Sequence, residues 1–139
     1  MIFVDTFFWV AWRNRRDAHY LQAGELLRLY ADQGLLTSNH VRGETWTYLR
    51  RRVGHRSAVD FLDSLERSPR VQILVVSKEQ EEEALRWLRR HDERDYSFVD
   101  ATSFAVMRSL RIQDALTFDG DFNAAGFREL RTDDATPTR

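Results

Sequence analysis

Val71-Gln72-Ile73-Leu74-Val75-Val76, running straight into Ser77-Lys78-Glu79-Gln80, decides the fold class of this chain. This near-continuous apolar run reads as the strongest strand of the chain, and its alternation with helices favours a mostly parallel sheet covered on both faces. Ser77 and Gln80 then have the spacing of a capping box, and they open a charged helix predicted to run to about His91.

The same succession recurs on either side. Ile2-Phe3-Val4 predicts a short buried strand, and Thr6 to Arg13 an aromatic helical turn or short helix. Asp17 to Gln33 predicts a helix with Leu21, Leu26, Leu27, Leu29 and Tyr30 as its apolar face and Gly34 as its terminator. Leu35 to Ser38 is the second strand. Asn39 is predicted to cap a helix reaching about Val53, where Gly54 breaks it. A helix over Arg56 to Arg67, closed by Pro69, precedes the strand at Val71. After the charged helix, Phe98 to Leu110 predicts another, leading into strand Ala115 to Phe118 and a last strand Arg128 to Arg131. This alternation predicts an α/β fold, a three-layer α/β/α sandwich with a mostly parallel central sheet. One domain is expected over residues 1–131, followed by a polar, frayed tail over 132–139.

Composition narrows the chemistry. The 139 residues suffice for one core without staples. With no cysteine, thiol catalysis, thiolate zinc sites and disulfides are excluded, and a reducing cytoplasm is the expected location. No apolar stretch approaches the roughly 20 residues of a membrane span. Asp5 interrupts the first apolar run and Arg13, Arg15 and Arg16 soon follow, so no signal peptide is expected. The net charge of -1 does not announce a nucleic-acid binder. Lys78 is the only lysine, so nearly all positive charge sits on arginine, whose planar fork grips phosphate but also makes ordinary salt bridges.

Ligands of open α/β sheets bind beyond the carboxyl ends of the strands. Acids scattered along the chain fall at those places. Asp5 ends the first run, as a helix cap or as a site acid. Glu44 lies one turn into the helix after Ser38, four residues from His40 and Tyr48; alone it reads as a solvated acid or a partner of His40. Asp100 stands three residues after Ser97, where a capping box is the competing role. Asp119-Gly120-Asp121 follows the strand at Phe118, either as an ordinary turn or as two carboxylates at the crevice. Several acids in one small site repel one another unless a hard cation neutralises them, which points to a divalent-metal site and a phosphate-bearing substrate. Asp95, in the run His91-Asp92-Glu93-Arg94-Asp95, most simply a solvated loop, reads as a structural acid or as one that supports the site acids from behind.

Ile2-Phe3-Val4-Asp5-Thr6, Thr37-Ser38-Asn39-His40-Val41-Arg42-Gly43-Glu44, Tyr96-Ser97-Phe98-Val99-Asp100-Ala101-Thr102-Ser103-Phe104 and Leu116-Thr117-Phe118-Asp119-Gly120-Asp121-Phe122 together resemble a PIN-domain ribonuclease, and more closely a VapC toxin of a bacterial type II toxin–antitoxin pair. The resemblance covers Ile2 to about Leu130. It implies an acidic quartet of Asp5, Glu44, Asp100 and Asp119, with Asp121 as an auxiliary ligand. It also implies a Mg2+ or Mn2+ cofactor and cleavage of a tRNA or rRNA loop to a 5′-phosphate and a 3′-hydroxyl. The implied partners are structured RNA, a VapB-type antitoxin and a second copy in a homodimer, with no membrane. Phe7 stands where the family often carries a small hydroxyl residue, leaving Thr6 as the nearby hydroxyl.

Two arginine clusters, Arg13/Arg15/Arg16 and Arg50/Arg51/Arg52/Arg56, are candidate RNA contacts as regions. A haloacid-dehalogenase-type phosphatase would need an aspartate at position 7, where Phe7 stands, and a receiver domain would need a late lysine, whereas Lys78 is alone. The non-enzymatic alternative is a catalytically inactive PIN-like module that binds RNA or protein.

Overall fold

A computed structural model describes residues 1–134. Five strands form one sheet in the order β3-β2-β1-β4-β5: β1 Ile2–Val4, β2 Leu35–Ser38, β3 Val71–Leu74, β4 Asp114–Leu116 and β5 Arg128–Glu129. All four strand pairings are parallel. Ile2, Phe3 and Val4 are completely buried, as a central strand covered on both faces must be.

From β1 the chain steps outward through α1 (Thr6–Arg13) and α2 (Tyr20–Leu29) to β2, then through α3 (Asn39–Arg52) and α4 (His55–Arg67) to β3. It returns through α5 (Lys78–Arg90) and α6 (Phe98–Leu110) to β4, on the other side of β1, and ends through α7 (Asp121–Ala124) at β5. Right-handed crossovers that reverse direction put the two sets of helices on opposite faces. The result is the expected α/β/α sandwich. The strand order reverses at β1 and β4, so the binding crevice opens at their carboxyl ends.

Aromatic rings fill both layers. Phe104 meets Phe122 edge to face at 4.9 Å and stacks on Phe127 at 5.6 Å; Trp9 packs on Phe61 at 6.0 Å and on Trp12 at 5.6 Å. A buried polar chain fixes the end of β1: Trp9 Nε1 donates to Thr37 Oγ1 (3.3 Å), whose hydroxyl donates to the Val4 carbonyl (2.9 Å).

Several element boundaries differ from the sequence reading. The strand that opened it stops at Leu74, because Asn39 Oδ1 takes the Val76 N–H (3.0 Å) and Val75 turns into solvent. Asn39 is therefore occupied elsewhere, and Ser38 caps α3 by accepting from the Val41 N–H. Helix α2 begins at Tyr20 rather than Asp17, whose carboxylate instead closes a turn by accepting from the His19 N–H (2.8 Å). It ends at Leu29, where Arg70 donates to the carbonyls of Leu27, Tyr30 and Gln33. Strand β4 starts at Asp114 and gives up Thr117 and Phe118 to the crevice, and β5 stops at Glu129. Thr132–Asp134 form a 3-10 turn; the rest of the expected tail, 135–139, lies outside the described residues.

Candidate functional site

The carboxylates of Asp5, Asp100 and Asp119 converge, each offering an oxygen within 4.8 Å of the others. Asp5 continues the β1 edge, its N–H donating to the Leu116 carbonyl of β4 (3.1 Å). It occupies the capping position of α1, yet its side chain makes no capping hydrogen bond. It is 1% exposed, and its Oδ1 has no hydrogen-bond partner. A buried carboxylate oxygen left unpaired is costly. Asp5 thus makes no capping bond, and its carboxylate lies with those of Asp100 and Asp119.

Asp100 closes a capping box and also brings its carboxylate to the cluster. Its Oδ2 accepts from the Ser97 N–H (3.0 Å) and its own N–H donates to Ser97 Oγ (2.9 Å), closing a capping box at the start of α6. That box ties down its side chain, whose carboxylate lies near those of Asp5 and Asp119. Asp119, in the exposed turn after β4, has its Oδ1 bound by the Asp121 N–H (3.0 Å). The left-handed Gly120 (φ 82°) allows that turn, and buried Glu129 of β5 ties it down by accepting from the N–H groups of Gly120 (3.2 Å) and Asn123 (2.9 Å).

The electrostatics follow from this crowding. Burial, then the charges of Asp100 and Asp119, push the Asp5 carboxyl well above the ordinary carboxylate range. Burial chiefly, with Asp119 and Asp121 adding, raises Asp100 to about 7 against the pull of its Ser97 bonds. Asp119 is raised too, first by desolvation and then by Asp121 and Glu129. Such a set is unfavourable when fully ionised and empty. Three convergent carboxylates, one oxygen of them buried and unpaired, fit a hard, oxygen-seeking divalent cation.

Other predicted residues fall around this trio. Glu44 stands outside it and is held at its rim by Thr6, whose hydroxyl donates to Glu44 Oε1 (2.5 Å). His40 pairs with Glu81 (2.8 Å) instead, so it is not Glu44's partner. Asp121 also stands outside, its carboxylate held by Arg94 Nε (2.8 Å). Arg13, Arg15 and Arg16 line a depression of about 470 Å³ together with Arg52. Arg51 and Arg52 line a groove of about 650 Å³ that includes Glu44. Arg50 and Arg56 are exposed and line neither.

Three residues of the site were not singled out from the sequence. Buried Thr117 donates to Asp5 Oδ2 (3.1 Å) and lies 3.4 Å from Asp119 Oδ1, so it supplies a hydroxyl between two of the acids. Arg94 secures Asp121 and reaches the Asp119 carbonyl (3.3 Å). Glu129 anchors the turn and pairs with Arg131 (3.0 Å). A threonine within an apolar run, two residues before an acid, was the one available signal; nothing in the local pattern marked Arg94 or Glu129.

Comparison with known proteins places this geometry. The PIN domain family matches residues 2–128. Two strains of Mycobacterium tuberculosis, CDC 1551 / Oshkosh and ATCC 25618 / H37Rv, carry a 23S rRNA-specific endonuclease, VapC20, that is 56% identical over 133 residues, spanning 94% of this chain and 98% of the relative. The crystal structure of Mycobacterium tuberculosis VapC20, described as a Sarcin-Ricin loop cleaving toxin, superposes with a TM-score of 0.86 at 55% identity, over 94% of this chain and 99% of that one. On its sequence, its fold and its converging acids, the chain belongs to the PIN-domain family, among the VapC ribonucleases.

Proposed function

We propose that this chain is the endoribonuclease toxin of a type II toxin–antitoxin pair, using Mg2+ or Mn2+ to hydrolyse one phosphodiester in a loop of structured RNA. The observation that carries the metal and the chemistry is the convergence of Asp5, Asp100 and Asp119 around an unpaired buried oxygen of Asp5. The identity of 56% to a 23S rRNA-specific endonuclease favours a ribosomal RNA loop over a tRNA loop as substrate.

Asp5, Asp100 and Asp119 are assigned as the residues that hold the cation. A divalent ion there supplies Lewis-acid chemistry, acidifying water and offsetting charge on the scissile phosphate. Thr117 and the Ser97 capping box orient two of the acids. Glu44, positioned by Thr6, is assigned the proton of the attacking water. Asp121 serves by holding Asp119 rather than as a ligand of its own. The products are then a 5′-phosphate and a 3′-hydroxyl. The arginines of the two depressions supply backbone affinity, weakening as salt rises. A VapB-type antitoxin, a homodimeric state and a cytoplasmic location complete the proposal; among the described residues no helix is long and apolar enough to cross a membrane.

The test compares wild type and Asp5→Asn on sarcin–ricin-loop and tRNA anticodon hairpins, with Mg2+ or EDTA. Cleavage by wild type alone, and only with metal, is expected. Cleavage in EDTA, or undiminished cleavage by Asp5→Asn, would sink the mechanism, and RNA binding without any cleavage would favour the inactive binding module. In cells, expression without its antitoxin should arrest growth, relieved by co-expressing the antitoxin. Unimpaired growth with active, folded protein would count against the toxin role and spare the nuclease.

A further inference from the structure

We propose that the groove beside the acidic trio reads one unpaired nucleobase next to the scissile phosphate, with Phe7 as its stacking surface. This rests on the RNA-cutting function proposed above and goes beyond it by naming a specificity-determining residue.

Three observations carry it. Helix α1 buries Phe8 and Trp9 almost completely, while Phe7, between Thr6 and Phe8, is 40% exposed and lines the groove of about 650 Å³. The Tyr48 ring meets Phe7 at 5.2 Å and 86°, which holds the exposed ring in place, and Val99 continues the apolar wall. The groove is contiguous with the reaction centre. Glu44 lines it and is bonded to Thr6, the one residue between Asp5 and Phe7. The groove is also cationic: Arg51 and Arg52 line it, and the Arg52 guanidinium lies 5.3 Å from the Tyr48 ring centre and also lines the depression with Arg13, Arg15 and Arg16.

A ligand for this groove must be flat and apolar on its face, of compact size, and joined to an anion that the arginines can take. The volume falls in the range of about 300–1,000 Å³ typical of small-ligand sites. A nucleotide meets all three requirements. A base paired in a duplex does not expose its face, so the occupant is unpaired, and such bases stack on aromatic rings and arginine planes.

The test uses the RNA hairpin that wild type cuts, intact or with a single abasic nucleotide beside the cut. Phe7→Ala and Phe7→Leu should raise KM on intact RNA by about 5- to 100-fold while kcat stays within about threefold, since a stacked base is lost but the reacting atoms are not touched. Phe7→Leu keeps an apolar contact on Tyr48 and Phe7→Tyr restores the ring, so Phe7→Tyr should behave as wild type. On the abasic hairpin, wild type should fall to the level of Phe7→Ala, and the substitution should cost nothing more. A loss of equal size on intact and abasic RNA, or no loss, overturns the proposal. A measurement independent of cleavage places 2-aminopurine at each loop position in turn and follows its fluorescence on binding to metal-free protein. Quenching at one position that disappears with Phe7→Leu supports the subsite even if wild type cuts nothing, in which case the nuclease function alone fails. Absence of quenching at every position overturns the subsite. Undiminished RNA discrimination together with weakened antitoxin binding by Phe7→Ala would assign the groove to the protein partner and overturn it as well.

Discussion

Asp5 could have been a helix cap, and its own geometry decides against that: it sits at the cap position and uses neither oxygen for capping. One oxygen accepts from Thr117 and the other is buried with no partner. Thr117→Val keeps the shape and removes that hydroxyl, so it tests positioning apart from ligation. Mn2+ affinity measured by calorimetry should fall by roughly 10–100-fold, the usual effect of losing an outer hydrogen bond to a metal ligand. Thermal stability should change little by comparison; an unchanged affinity would strip Thr117 of its role. Asp5→Asn should go the opposite way on stability without metal. It removes a charge that burial and two neighbouring carboxylates oppose, so a higher melting temperature in EDTA is expected, alongside lost cleavage. A lower melting temperature would mean that the amide is worse accommodated than the acid.

The turn after β4 shows how an element can carry one of three converging carboxylates without looking as if it does. Gly120 allows the left-handed backbone, and Glu129, on the neighbouring strand, accepts both N–H groups that the turn leaves open. Glu129→Ala removes these bonds and leaves Arg131 without its carboxylate, so urea denaturation should show a loss of about 2–3 kcal/mol. Metal affinity should fall with it, because Asp119 loses its support. Stability lost with Mn2+ affinity retained would separate the turn from the site. These dependencies explain what could be read beforehand. Helices α5 and α6 were legible because Ser77/Gln80 and Ser97/Asp100 write their capping boxes locally. The short ends of β3 and β4 were not, since they depend on distant partners: Asn39 taking the Val76 N–H, and Thr117 turning to Asp5. Asp5 and Asp119 were legible by position, because strand ends are visible in apolar runs, and Asp100 by the capping box that opens α6. Arg94 and Glu129 were not, because their partners come together only when the turn closes against β5 and the loop before α6.

Across the molecule, the strand order puts residues 5, 100 and 119 into one crevice, and the fold must then tolerate three carboxylates there. This links stability to pH in a specific direction. Asp100 titrates near 7 in the fold and near 3.8 when unfolded, and Asp5 and Asp119 are raised as well. Between those values the folded state binds more protons than the unfolded one, so stability falls as pH rises. The contribution is fully present below about 4 and is lost as pH passes through 7 and above. At about 1.4 kcal/mol per pKa unit, Asp100 alone places the effect on the order of a few kcal/mol, shared among groups that titrate together. In EDTA, the melting temperature attributable to this cluster should therefore decline between pH 5 and 8, and Asp100→Asn should flatten the decline. A divalent cation held by the trio, as proposed, would bind its ionised form, so saturating Mn2+ should raise the melting temperature little at pH 5 and most at pH 8. On the proposed function, the same competition should make cleavage increase with pH across this range at limiting metal, and less steeply at saturating metal. Melting curves in EDTA that do not depend on Asp100 between pH 5 and 8, or a Mn2+ shift as large at pH 5 as at pH 8, would show that the three carboxylates are not coupled to the cation as a unit.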